Sequence, residues 1–430
     1  MNSRSHQPAG AMTGPRLPAG ALVLVLVVSI IIAAILLSLI FLTTSRRLLV
    51  QRDTIREAVR RNLFSGLAYA QAQSRMTYFQ PRQWDLFGQG TDSVRVERKP
   101  WGMFDVAVVT ASRGRWRDTC VAMLGSRFAL INQAALYLAD EHVPLSVNAD
   151  AQVRGRAYLP GGQSARPASL PLLGTTRNGP AVTGALQTSA AALPYGGDTA
   201  LIRLRHYTAL QLAAWLPAGS RTQQALQSQR VSFAGAATVL YQGKALELKN
   251  LSLSGQIVVV SARRLVVDAS AQLDNVLLLA PVVVLKAGFH GRVQIFARDT
   301  VEVQQGCELL YPSAVCAYSP TQAALVSLGT SSRISGTVIA AGGAGGPTPL
   351  VHMEPGVTVQ GQVLSTGVLE NCGNVQGTVM CRRLLYRTAS TLYDNYLVNA
   401  VLDQPGLAAA FLTTPLLNPG APTGIVAWLP

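Results

Sequence analysis

The sequence predicts a mainly β protein carried on a membrane anchor. An N-terminal transmembrane α-helix extends into a long amphipathic helix, followed by a β-hairpin and strand region and then a parallel β-helix (β-solenoid). Three observations lead there. Residues 17–45 hold no charged side chain, and residues 21–42 read ALVLVLVVSIIIAAILLSLIFL. Beyond them, apolar residues recur at helical spacing with no proline before Pro81. In the C-terminal half, short apolar runs repeat at nearly constant intervals.

Residues 1–20 are polar and Pro/Gly-containing, a disordered leader. Residues 21–43 form the transmembrane helix, since about 20 apolar residues cross a ~30 Å hydrocarbon core. A cleaved secretory signal would have a shorter apolar core and a small-x-small site, and the run ends instead in FLTTSRRLLV. Arg4 and Arg16 precede the span, whereas Arg46, Arg47, Arg52, Arg56, Arg60 and Arg61 follow it. By the positive-inside rule, that count puts the C-terminal side in the cytoplasm.

Residues 44–78 continue as an amphipathic helix, with Leu48, Leu49, Ile55, Val59, Leu63, Leu67 and Tyr69 along its stripe. Residues 79–160 are β-rich. Within them, 104–110 and 116–124 flank the turn-like ASRGR as a hairpin, and 134–160 hold short strands at close spacing. Residues 161–230 form a loop-rich insertion with a weak helical patch at 207–216.

Residues 231–383 carry the repeats. Segments starting at Ile257, Val276 and Val293 each read strand, break, strand, turn, with starts 19 and 17 residues apart. A second pattern recurs as RISGTV from Arg333, TVQGQV from Thr358 and NVQGTV from Asn374, with a looser copy, QVRGRA, from Gln152. Such a period suits stacked turns that bury their apolar sides against one another, and the recurring Gly suits a corner that needs positive φ. A β-sandwich is the competing arrangement. Residues 384–430 then form a C-terminal cap.

The net charge of +15 rests on 32 Arg and 4 Lys, a skew typical of a GC-rich genome. No basic face interleaved with aromatics argues for nucleic acid, so none is expected as a partner. Excess charge between Arg46 and Arg75 suits membrane lipid or a partner helix. Cys120, Cys307, Cys316, Cys372 and Cys381 form no CxxC pair; buried thiols are the expectation, and local disulfides the alternative. The five histidines are scattered. No metal, cofactor or catalytic residue is assigned, because HExxH, GxSxG, GxxxxGK[ST] and a strand-to-helix GxGxxG are all missing. Asp268, Asp274, Asp299, Glu302 and Glu308 read as solvated corner residues, and no Asp-x-Asp pair occurs among them.

Over residues 15–125 the chain resembles type IV pilin-like proteins, especially minor pilins and pseudopilins. A short Arg-containing leader ends at Gly20, the apolar span starts ALVLVLVV, the helix continues to RNLFSGLAYAQAQ, and a WGMFDVAVVTASRGRWR hairpin follows. The resemblance implies a cytoplasmic leader, cleavage between Gly20 and Ala21, helix packing with other pilin-like or secretion-platform proteins, and a C-terminal domain outside the inner membrane. It departs from the family at the fifth position after Gly20, where Val25 stands in place of the usual Glu. Residues 232–383 resemble bactofilin-like and surface-exposed parallel β-helices in architecture, and the whole chain resembles membrane-anchored proteins of Bacteroidota. The functional expectation is a non-enzymatic structural or assembly protein of the bacterial envelope, with membrane lipid, pilin-like proteins and a surface glycan as candidate partners. The alternatives are a cytoplasmic bactofilin-like scaffold and a carbohydrate-binding or polysaccharide-cleaving β-helix.

Overall fold

The computed structural model describes residues 19–430 except 74–76, 87, 89, 130–132, 149, 163–165, 168–180, 196, 213–214, 344 and 419. The leader expected at 1–20 lies outside the described residues up to position 18. The chain separates into two compact units, Met1–Arg61 and Asn62–Pro430.

The first unit holds most of helix α1 (Ala19–Ala72), which is ~80 Å long at 1.5 Å per residue. Its apolar part is exposed all round and is long and apolar enough to cross a membrane. Three of the hydroxyls there are satisfied within the helix. Ser29 donates to the Val25 carbonyl, and Thr43 and Thr44 both donate to that of Ile40. The amphipathic stripe is shorter than expected: Leu48 and Leu49 are exposed, whereas Leu63 and Leu67 are buried. The helix also stops at Ala72 rather than near 78.

In the second unit, helix residues 62–72 lie on a five-stranded antiparallel sheet. Its order is β1 (Arg82–Trp84), β2 (Asp92–Trp101), β3 (Phe104–Arg113), β4 (Trp116–Ser126) and the C-terminal strand Thr423–Leu429. Gly66 sets the approach, since a Cβ there would fall 2.6 Å from Val109 Cγ1 and 2.8 Å from Val94 Cγ1. Leu63, Leu67 and Ala70 are buried along the same side, and Tyr69 meets Trp84 at 4.6 Å between ring centroids. The hairpin expected around ASRGR is present, with Thr110 opposite Thr119.

Among the described residues, most remaining strands belong to a second, 22-stranded sheet, parallel except at one pair between Asn374–Arg387 and Leu392–Asp394. The sheet is laid down in tiers, and its register follows the sequence repeats. Val258 stands opposite Leu277, and Leu277 opposite Gln294, giving offsets of 19 and 17 residues. One inward column runs Val259, Leu278, Ile295, Val315, Val338, Val363, Val379. All of these are buried in one aliphatic core. The adjacent outward column, Val260, Leu279, Phe296, Cys316, Ile339, Leu364, Met380, is buried in a second core. Burial on both faces explains why these strands read as continuous apolar runs rather than alternating ones.

The tiers are not stacked in chain order. Val379 of the strand Asn374–Arg387 pairs with Leu136 of β5 (Leu136–Leu138), Leu136 pairs with Ala157, and Ala157 with Leu186. The strands Leu136–Leu138, Gln152–Arg154, Ala157–Leu159 and Leu186–Thr188, expected to fall in a separate strand region and an insertion, therefore extend the same sheet past Asn374–Arg387. The stretch expected as a terminal cap divides likewise. Val401–Asp403 joins the parallel sheet, while Thr423–Leu429 returns to pair with β4. The helical patch expected at 207–216 lies earlier, as α2 (Gly197–Thr208), because Leu201, Leu204 and Tyr207 supply its buried side. α2 packs on Gln272–Leu285, His290–Val303 and Glu308–Ser319.

Glycine is required where the RISGTV-type repeats superimpose. Gly336, Gly361 and Gly377 occupy successive tiers with φ of 151°, 137° and 144°. A Cβ on Gly361 would sit 2.0 Å from the Gly336 carbonyl oxygen, and one on Gly377 would sit 1.9 Å from that of Gly361. The backbone of one tier thus fills the space a side chain would need in the next. Replacing Gly361 by Ala should cost about 3 kcal/mol through strained φ and lost tier contact. Denaturant unfolding of the variant beside wild type checks this, with Gly345→Ala, at a glycine whose Cβ would meet nothing within 4 Å, as a milder comparison.

Candidate functional site

Gly20 and Ala21 lie in the first turn of α1. All six arginines from Arg46 to Arg61 are exposed on the same helix. Arg52, Arg56 and Arg60 recur every fourth residue and so follow one side of it; Asp53 and Glu57 lie next to that line, at spacings that allow i,i+3 and i,i+4 pairing. The helix presents a net basic collar immediately after its apolar segment.

A buried charged cluster of the second unit is not apparent from the sequence. Asp105, almost fully buried, sits near the start of β3. Arg98 from β2 reaches it with Nε at 2.9 Å and Nη2 at 2.6 Å from Oδ2. Arg203 from α2 reaches Oδ1 with Nη2 at 2.9 Å. Arg203 also donates to the carbonyls of Gly102 and Phe104 and to the Tyr78 hydroxyl, while Arg98 Nη1 donates to the Gln73 carbonyl. The Arg203 guanidinium lies 5.2 Å from the ring centroids of both Tyr78 and Trp215. Burial pushes the Asp105 carboxyl up, but the guanidiniums of Arg203 and Arg98 and their hydrogen bonds outweigh it and hold it below the usual carboxylate range. Burial pushes the Tyr207 hydroxyl up to about 12.

This cluster locks the β2–β3 turn to the parallel sheet. Trp101 Nε1 donates to the Asn275 carbonyl at 3.1 Å, Met103 N–H to Gln294 Oε1 at 2.7 Å, and Gly102 N–H to the Tyr207 hydroxyl at 3.2 Å. Trp101, Met103 and Phe104 are buried against the outward column of the sheet. A sequence signal did exist: Asp105 is a lone acid within FDVAVV, and Arg203 interrupts an apolar LIRL.

The repeat carboxylates are each held separately. Asp274 pairs with Arg292 at 2.6 Å, Asp268 with Lys286 at 3.3 Å, Asp299 with Arg298 at 3.0 Å and Glu308 with His290 at 3.3 Å; Glu302 accepts from Gln304. Hydrogen bonds from Ser270, helped by Lys286, hold Asp268 down to about 2. Further along, Glu370 lies between His352 at 3.0 Å and Arg387 at 3.1 Å. All five cysteines are free thiols; Cys307, Cys316 and Cys381 are buried. Among the described residues, no group of His, Cys, Asp and Glu side chains is placed to hold a metal. A groove of about 480 Å³ runs along α2, where Arg205 and His206 face Arg298 and Tyr318.

Asp105→Asn leaves two buried guanidiniums facing a neutral group and should cost about 4 kcal/mol at neutral pH. The depressed carboxyl contributes stability that is present above its unfolded value of about 3.9 and is lost as pH falls through the lower folded value. The gap between wild type and Asp105→Asn, followed by denaturant titration from neutral to acid pH, should therefore be full near pH 7 and shrink below about pH 4.

No protein-family model, curated protein or solved structure matches the chain.

Proposed function

We infer that the protein is a single-pass structural or assembly component of the bacterial envelope. In this reading the apolar part of α1 sits in the inner membrane and packs with pilin-like or secretion-platform helices. The tiered sheet is a β-solenoid held outside that membrane as a stiff presenting surface. The observation that carries this is the docking of residues 62–72 of α1. Through Gly66 they lie on an antiparallel sheet, and the β2–β3 turn of that sheet is built into the outer face of the tiers. A helix that begins as a membrane-length apolar segment thus ends as part of a fused sheet-and-tier body. The basic collar from Arg46 to Arg61 supplies contacts to lipid phosphates or to carboxylates of a partner helix.

A second reading, a scaffold on the cytoplasmic face, is favoured by one observation: six arginines closely follow the span and only two precede it.

Sidedness separates the two. Ser390, in an exposed turn after Asn374–Arg387, is replaced by Cys and treated with an impermeant maleimide in cells whose outer membrane alone is permeable. Labelling in intact spheroplasts is expected. Labelling that appears only after inner-membrane lysis would move the body to the cytoplasm and favour the scaffold. Arg56→Glu with Arg60→Glu should reduce co-purification of helix partners from detergent extracts; unchanged recovery would remove the collar from the assembly role.

A further inference from the structure

We propose that the groove between α2 and the parallel sheet is a binding site for an acidic saccharide. The assignment uses only the second unit and needs neither the anchor nor its sidedness. α2 is fixed on one side and open on the other. Leu201, Leu204 and Tyr207 are buried, and Arg203 is held by Asp105 and Tyr78. The helix cannot roll without breaking that cluster. Its other side, spaced by three and four residues, therefore presents Ile202, Arg205 and His206, with Ala209 just past its end, along a preformed wall. The facing wall comes from Arg298 on His290–Val303 and Tyr318 at the end of Glu308–Ser319.

The chemistry of the two walls selects the ligand. Arg205 and Arg298 bring two guanidiniums to one concavity, and no acid is among its described lining residues. Asp299 engages Arg298 through Nε and Nη2, at 3.0 and 3.1 Å, so the Nη1 end of that guanidinium is left to take a carboxylate oxygen. Gln211 adds an amide that donates and accepts, as sugar hydroxyls require. Ile202 and Pro320 give exposed apolar surface suited to the C–H faces of pyranose rings, with the buried Tyr318 behind it. A volume of about 480 Å³ is in the range of small-molecule sites and far exceeds a single inorganic anion. A uronic-acid oligosaccharide satisfies the charge, the hydroxyl partners and the apolar wall together.

The test is calorimetric titration of the full-length protein in phosphatidylcholine nanodiscs with trigalacturonate, maltotriose and inorganic phosphate. Saturable binding of trigalacturonate is expected, with maltotriose at least about tenfold weaker. Arg205→Ala and Arg298→Ala should each lower affinity about tenfold, whereas Arg333→Ala, at an exposed arginine outside the groove, should leave it unchanged. Ile202→Trp should block the groove by bulk without altering charge; unchanged thermal melting of each variant shows that the fold is intact. The proposal is overturned by an absence of trigalacturonate binding, by full binding in the Arg205→Ala, Arg298→Ala double variant, or by phosphate binding as tightly as the oligosaccharide.

Discussion

The tier-to-tier register of the parallel sheet is the constraint on which the rest depends. A single tier cannot bury its aliphatic side or satisfy its backbone groups; both are met only by the tier above and the tier below. The column from Val259 to Val379 shows the consequence, as each inward aliphatic lies over another in the next layer. A one-residue slip would turn that column outward and bring the neighbouring residues in. The Gly336, Gly361 and Gly377 corner holds the same register from the backbone, since each carbonyl lies where the next tier has no side chain.

A tiered sheet that is apolar on an outer face also creates an obligation. Phe296, Cys316, Ile339 and Leu364 point away from the interior core and still need cover. The chain supplies it from three distant places: the β2–β3 turn, α2 and the C-terminal stretch carrying Leu417 and Leu429. Holding the turn and α2 together brings Arg98, Asp105 and Arg203 out of water. Two guanidiniums share one carboxylate, and carbonyls at Gly102, Phe104 and Gln73 accept from them, which offsets part of the excess positive charge; Arg203 Nε is left without an acceptor. Fixing α2 in this way also fixes its open side, so the groove beside Arg205 follows from how the outer face is covered.

Local features of the chain were legible. The apolar run over 21–42, the hairpin around ASRGR, the 19- and 17-residue offsets and the equivalence of the three RISGTV-like segments can all be read directly, because each depends on periodicity or turn chemistry within a few dozen residues. What could not be read depends on partners remote in sequence. Nothing near Leu136 indicates that it stacks on Val379, because parallel pairing carries no turn signal linking the two strands. The copy at Gln152 was visible as a likeness, but its place beside Val401–Asp403 was not. Asp105 and Arg203 are 98 residues apart, so each alone looks like an isolated charge in an apolar run. The sequence places a helical patch at 207–216, whereas burial of Leu201 and Leu204 sets the helix earlier, at Gly197–Thr208.

The central claim is that the strands Leu136–Leu138 and Ala157–Leu159 continue the parallel sheet whose longest run of tiers comes from residues 221–387. Hydrogen exchange of the full-length protein, followed peptide by peptide, tests it most directly. The amides of Leu136–Leu138 and Ala157–Leu159 should be protected to a degree comparable with those of Asn374–Arg387, because the three share one ladder. Rapid exchange across 134–159 alongside a protected 374–387 would contradict the claim and leave the parallel sheet ending at residue 387.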